Sequence, residues 1–307
     1  MDVIPFTIQV AQETLDDLHA RLANPRWPDA VSMGWEYGAA LGYMQELVGY
    51  WRDGFDWRTQ EAMLNRFAQY RTEIDGFGIH FIHERGRGPH PLPLIYTHGW
   101  PGSFFEMYKI IPLLTDPARF GGDATDAFDV IVPSLPGFAF SDCPTEHGMT
   151  LQRTAELWLR LMTDVLGYPR FAAGGTDFGS GVTRLLALAH PERLAAIHLT
   201  YLGFPIEPGD KSNLSAAEQK YLNAIQDWMM REGAYAMIQA TKPQTLAYGL
   251  NDSPTGLAAW LVEKFRAWSD CAGDVERRFT KDELLTNIML YWVTGTIHAS
   301  MRTYYEN

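Results

Sequence analysis

The sequence predicts an α/β protein: a mainly parallel sheet with flanking helices, a helical preface and a helical lid. Three observations carry that expectation. Short apolar runs alternate with amphipathic stretches between Leu92 and Thr200. The first 70 residues show helical periodicity, rich in tryptophan and arginine. After Gly203 the strand-like runs stop and helix-start signals take over. The expected organisation is a helical preface over 1–70, the first part of an α/β core over 71–202 and a helical lid over 203–307.

In the preface, Leu15, Leu18 and Leu22 recur at helical spacing, and residues 40–51 and 57–70 are similarly amphipathic. Residues 71–74 and 79–83, joined by the turn Asp75-Gly76, read as a strand pair. A strand-helix rhythm follows, with strands at 92–97, 128–133, 171–175 and 194–200 and helices at 104–114, 151–166 and 179–190. Strands that are apolar without alternation are buried on both faces, which is the mark of a parallel sheet covered by helices. In the lid, Ser215-Ala216-Ala217-Glu218 and Thr280-Lys281-Asp282-Glu283 are capping boxes, each leading into an amphipathic run. Helices inserted after a parallel sheet cover the strand ends where functional loops gather.

Composition narrows the function classes. Apolar residues make up 46% and charged residues 20%, a globular balance. The formal charge of −12 repels phosphate backbones and anionic membranes, so neither a nucleic acid nor a membrane is an expected partner. With no basic segment ahead of an apolar start and no run of 18 apolar residues, the reading is a soluble, cytoplasmic protein. Cys143 and Cys271 are the only cysteines and read as structural thiols. No metal or cofactor motif is found, and His80 and His83, three apart on a strand, face opposite sides and cannot chelate one ion. No cofactor is expected.

The sharpest motif is Gly175-Thr176-Asp177-Phe178-Gly179, placed between a strand and a helix. A tight strand-to-helix turn needs small residues on both sides and lifts its tip toward solvent at the helix N-terminus. A carboxylate at such a tip can attack carbon and form an ester, with the helix end favouring its charge. The plainer alternative is that Asp177 only caps the helix. The second motif is His98-Gly99-Trp100-Pro101-Gly102-Ser103 after the strand ending at Thr97. Its turn can aim the Trp100 backbone N–H at the elbow, to form with the Phe178 N–H an oxyanion hole. A cis Pro101 suits such a turn. His98 reads as a hydrogen-bonded structural histidine.

At these two motifs the chain resembles the epoxide hydrolases of the α/β-hydrolase fold, in the microsomal-type branch. The likeness extends over nearly the whole chain, the preface corresponding to that family's N-terminal meander. Two lid segments make it specific: Tyr235-Ala236-Met237-Ile238-Gln239 with Leu250-Asn251-Asp252-Ser253-Pro254, and Tyr291-Trp292-Val293-Thr294-Gly295 with Arg302-Thr303-Tyr304-Tyr305-Glu306-Asn307. The resemblance implies Asp177 as nucleophile and Tyr235 and Tyr304 as lid phenols that hydrogen-bond the epoxide oxygen, with Tyr305 the rival of Tyr304. The implied activity is ether-bond hydrolysis of a small apolar epoxide to a vicinal diol. Phenols with pKa near 10 stay protonated at neutral pH and can donate to a poor alkoxide leaving group. The plainer reading of Tyr235 is an ordinary aromatic on a lid helix.

Two departures from the family pattern matter. Thr176 and Phe178 stand where the microsomal-type members usually carry Gly and Trp, which keeps the backbone donor and changes the pocket wall. The family also continues through further βα units bearing the charge-relay acid and the histidine base, whereas this sequence ends at Asn307. None of His19, His80, His83, His90, His98, His147, His190, His198 and His298 matches that base. The expectation is a truncated form capable of the first half-reaction, with a non-catalytic binding remnant as the rival and His298 the first substitute base to test. A haloalkane dehalogenase-like hydrolase is the other enzyme reading. The sequence leaves the epoxide and the oligomeric state open, a homo-oligomer included.

Overall fold

A computed structural model describes residues 2–203 and 214–307. Seven strands form one sheet: β1 (Ile4–Phe6), β2 (Gln69–Ile74), β3 (Phe77–Glu84), β4 (Leu92–Thr97), β5 (Phe128–Pro133), β6 (Phe171–Gly175) and β7 (Leu194–Leu199). Their spatial order is β1-β2-β3-β5-β4-β6-β7. The strands β5, β4, β6 and β7 are mutually parallel, and β1, β2 and β3 extend the sheet antiparallel. The sheet is therefore mixed, with a parallel half that carries the expected βα rhythm. Val130, Ile131 and Val132 at its centre are fully buried, as an apolar run without alternation requires.

The helices before the parallel half are α1 (Gln12–Ala23), α2 (Leu41–Asp53) and α3 (Trp57–Leu64). Leu15, Leu18 and Leu22 of α1 are buried, as their spacing predicts. Strand β1 was not foreseen. Its three residues pair with β2 across 60-odd positions of sequence, and a strand that short leaves no period to read. Within the core lie α4 (Ile111–Thr115), α5 (Leu151–Arg160) and α6 (Phe178–Ala189). Two predicted helices are shorter than their patterns. Residues 104–114 divide into a 3₁₀ turn at Phe104–Met107 and α4, and 151–166 divides into α5 and a π-helical turn at Leu161–Val165.

The remaining helices are α7 (Ala216–Glu232), α8 (Ala234–Thr241), α9 (Pro243–Asp252), α10 (Pro254–Ala267), α11 (Lys281–Thr294) and α12 (Ile297–Glu306). Both expected capping boxes are formed, Ser215 with Glu218 and Thr280 with Glu283. Helix α12 packs on α8 and α9. No helix among the described residues is long and apolar enough to cross a membrane.

The parallel register decides where the site lies. Strand β4 is flanked by β5 and β6, and Thr97 at its C-terminal end is paired with Gly175 at the C-terminal end of β6. Neighbouring parallel strands discharge their loops at the same edge. The two motifs, 72 or more positions apart in the chain, thus begin side by side.

Candidate active site

The elbow is held by close approach of backbone. A Cβ on Gly175 would lie 2.2 Å from the Gly179 carbonyl carbon, and one on Gly179 would lie 2.0 Å from the Thr97 carbonyl oxygen. Only glycine fits either place. Between them Asp177 adopts φ 45° and ψ −119°, a region that ordinary residues enter only when the surroundings enforce it. Gly179→Ala is expected to cost about 1–3 kcal/mol of stability, because backbone rather than a movable side chain blocks the new methyl. A fall in the urea midpoint at unchanged slope checks this.

Asp177 occupies the N-cap position of α6, yet its side chain makes no capping bond. The capping alternative is thereby set aside. Oδ1 instead accepts the Trp100 backbone N–H at 2.9 Å, and the carboxylate also accepts the Phe178 backbone N–H. Gly99 lets the two loops meet, since a Cβ there would lie 2.3 Å from Asp177 Oδ1. Burial pushes the Asp177 carboxyl upward from its ordinary range, and the two backbone donors oppose that shift. The Trp100-Pro101 peptide is cis.

The lid brings the two phenols to this point. Tyr235 on α8 and Tyr304 on α12 meet with their hydroxyls 3.2 Å apart, Tyr304 donating to Tyr235. The Tyr235 ring stacks on Trp100 at 5.2 Å and 10°, and the edge of Tyr304 meets Phe178 at 4.8 Å. Trp268 packs on the other side of the cluster, 4.9 Å from the Tyr235 ring. Burial raises the Tyr235 hydroxyl to about 12 and Tyr304 further in the same direction, and the Asp177 charge adds to both. Both hydroxyls therefore keep their protons at neutral pH. Tyr305 is half exposed and lies against His147, away from this cluster.

The second motif is anchored from α11. Asn287 Nδ2 donates to the Pro101 carbonyl at 2.8 Å, Ser103 Oγ donates to Asn287 Oδ1 at 2.8 Å, and the Tyr291 hydroxyl donates to the Gly102 carbonyl at 2.6 Å. These bonds fix the loop that presents the Trp100 N–H. His98 is fully buried, and its Nε2 accepts the Leu135 N–H at 3.2 Å. Burial lowers it to about 4, so it is a neutral structural group.

Two side chains of the site, Glu106 and Trp268, are not among the residues the sequence singles out. Glu106 reaches back from the 3₁₀ turn, and its Oε2 accepts the Thr176 hydroxyl at 3.0 Å. A signal was present, because Glu106 is the one charge in Phe104-Phe105-Glu106-Met107. Trp268 was missed for the opposite reason, as an indole after an amphipathic helix looks like core.

All nine histidines are described, and none bonds Asp177 or either phenol. His80 is held between Ser134 and Gln69, His83 meets Tyr168, His147 meets Glu306 and His190 meets Glu156. His298 faces the Gly295 carbonyl at 2.7 Å and lines a groove with Tyr248 and Asn251 rather than the cluster of phenols.

The family model described as epoxide hydrolase N terminus matches residues 3–107, and that of the alpha/beta hydrolase fold matches 93–253. Epoxide hydrolase 1 of Sus scrofa is 38% identical over 333 residues, covering 99% of this chain and 72% of that protein. The chain belongs to the epoxide hydrolase family. A second family member, from Stigmatella aurantiaca and provisionally named an epoxide hydrolase, is 49% identical over 99% of this chain and 69% of its own length. The solved epoxide hydrolase of Aspergillus niger superposes with a TM-score of 0.86 at 32% identity, covering 100% of this chain and 79% of that one. Members of this family are hydrolases.

Proposed function

We propose that this chain opens a small apolar epoxide by attack of the Asp177 carboxylate on a ring carbon. The observation that carries the reading is the meeting of two protonated phenols with a carboxylate already held by two backbone N–H groups. As the C–O bond breaks, a phenol hydroxyl gives its proton to the leaving oxygen, and Asp177 becomes a hydroxyalkyl ester. The Trp100 and Phe178 N–H groups then face an ester oxygen, where they stabilise the oxyanion formed when water attacks. Trp100, Phe178 and Trp268 give the substrate apolar walls.

Water release of the diol requires a base, and no histidine of these 307 residues lies with Asp177. The chain by itself is therefore expected to form the ester and to accumulate it. Intact-protein mass spectrometry after incubation with styrene oxide tests this. A stable increase of one substrate mass supports the reading. A folded sample without an increase points to a binding remnant, and sustained diol formation makes His298 the first residue to mutate.

One observation supports a second reading, attack on a haloalkane. Among the described residues, the indole nitrogens of Trp100 and Trp268 are buried without a partner, and such donors suit a halide. Paired phenols favour an oxygen leaving group instead. Chloride release from 1-chlorohexane at a rate rivalling styrene oxide opening would reverse the preference.

A further inference from the structure

Glu106 is a second carboxyl beside the nucleophile. Its Oε2 accepts the hydroxyl of Thr176, the residue before Asp177, at 3.0 Å. Its Oε1 fills the space next to Gly102, where a Cβ would lie 1.5 Å away. The carboxyl is thus wedged between the two loops that build the oxyanion donors. It keeps surface open to water, yet enough protein surrounds it for desolvation to be the largest influence on its proton.

The charges around it are all of one sign. Asp177 acts on it from the elbow, and Tyr96 of β4 and Tyr291 of α11 each feel its charge. Among the described residues, no lysine, arginine or histidine acts on it. The nearby Lys109 is paired with Glu283. Two carboxyls that share a site without a cation do not both ionise readily, and they divide a proton according to their donors. Asp177 receives two backbone N–H groups, which favour its charged form, whereas Glu106 receives a single hydroxyl. The proton therefore sits on Glu106.

We propose that Glu106 is the proton store of ring opening: it is neutral while Asp177 is charged, and it gives up its proton when Asp177 becomes an ester. This rests on Asp177 being the nucleophile. The balance closes within the site. The Asp177 carboxylate, the epoxide and the Glu106 carboxylic acid become the ester with its new hydroxyl group and a Glu106 carboxylate. One negative charge passes from one carboxyl to the other, and no proton is drawn from outside. Burial and the Asp177 charge raise Glu106 to about 8, and esterification removes the second of these. The phenolate left on Tyr235, whose hydroxyl lies at about 12, is a far stronger base than the Glu106 carboxylate. Return of a proton to it, through water in the opening, runs downhill.

Counting protons during a single burst of alkylation tests the proposal. The 307-residue chain is mixed with styrene oxide in weak buffer with a pH indicator, and ester is counted by intact mass. Glu106 starts at about 8 and falls when the Asp177 charge is lost, so uptake at pH 7 is expected to be clearly below one proton per ester, rising to about one at pH 9.5, where Glu106 is already ionised. In Glu106→Gln it is expected to be about one at both pH values. The pH series on the unmutated chain needs no variant to fold. Uptake of about one proton per ester by the unmutated chain at pH 7 would overturn the proposal, as would a Glu106→Gln variant whose uptake at pH 7 is as low as that of the unmutated chain. A sample that forms no ester overturns the assignment of Asp177 as well, whereas failure of the store alone leaves the mass increase in place.

Discussion

Asp177→Asn is expected to slow ester formation from styrene oxide by at least about 10⁴-fold, because the amide keeps the shape and removes the attacking electron pair. The fold should not suffer. The Asp177 carboxyl is raised by burial, so the folded state disfavours its charge. For a group raised in this way, the stabilising contribution is full below the unfolded pKa and is lost as pH rises through the folded value. At pH 7 the charge therefore works against stability, and the neutral amide should hold the melting temperature or increase it. Rapid-quench mass measurement of the ester and a thermal melt together check the pair of expectations. A large loss of rate accompanied by a lower melting temperature would indicate that Asp177 supports the turn instead of reacting.

Removing both lid phenols should be nearly as damaging. Tyr235→Phe and Tyr304→Phe are each expected to slow alkylation about tenfold, and the double variant by about 10²–10⁴-fold, the range for a lost general acid. The hydroxyls are 3.2 Å apart, so one can still reach the leaving oxygen when the other is gone. Groups in contact with a shared task give losses that do not add. The rings keep their contacts with Trp100, Trp268 and Phe178 in every variant, so stability should change little. If the phenol deletions lower the melting temperature and leave the alkylation rate alone, the hydroxyls serve packing.

The elbow was legible because its constraint is local. Gly175 and Gly179 are forced by atoms within one strand-turn-helix unit and the neighbouring strand, and that need shows directly as Gly-x-Asp-x-Gly. The Trp100 loop was legible for a similar reason, and the pairing of Thr97 with Gly175 then brings the two loops together. Glu106 was not, because its meaning lies in a bond to Thr176 made across 70 positions. Periodicity also overstated the helices at 104–114 and 151–166, where a 3₁₀ turn and a π turn absorb residues that share the apolar pattern. The antiparallel strand β1 shows no pattern of its own and exists because β2 offers it an edge. Lid residues such as Tyr304 and Tyr305 differ by one position, and only the helix that carries them turns the first inward and leaves the second half exposed.

The central claim is that the Asp177 carboxylate becomes covalently bound to the substrate, and locating the bond tests it most directly. The chain is incubated with styrene oxide, quenched in acid, digested and mapped by tandem mass spectrometry. The account predicts one added substrate mass on the peptide containing Gly175-Thr176-Asp177-Phe178-Gly179, with fragment ions placing it on Asp177 and none on that peptide in Asp177→Asn. An adduct confined to another residue, or an adduct of equal yield in the Asn variant, would contradict it.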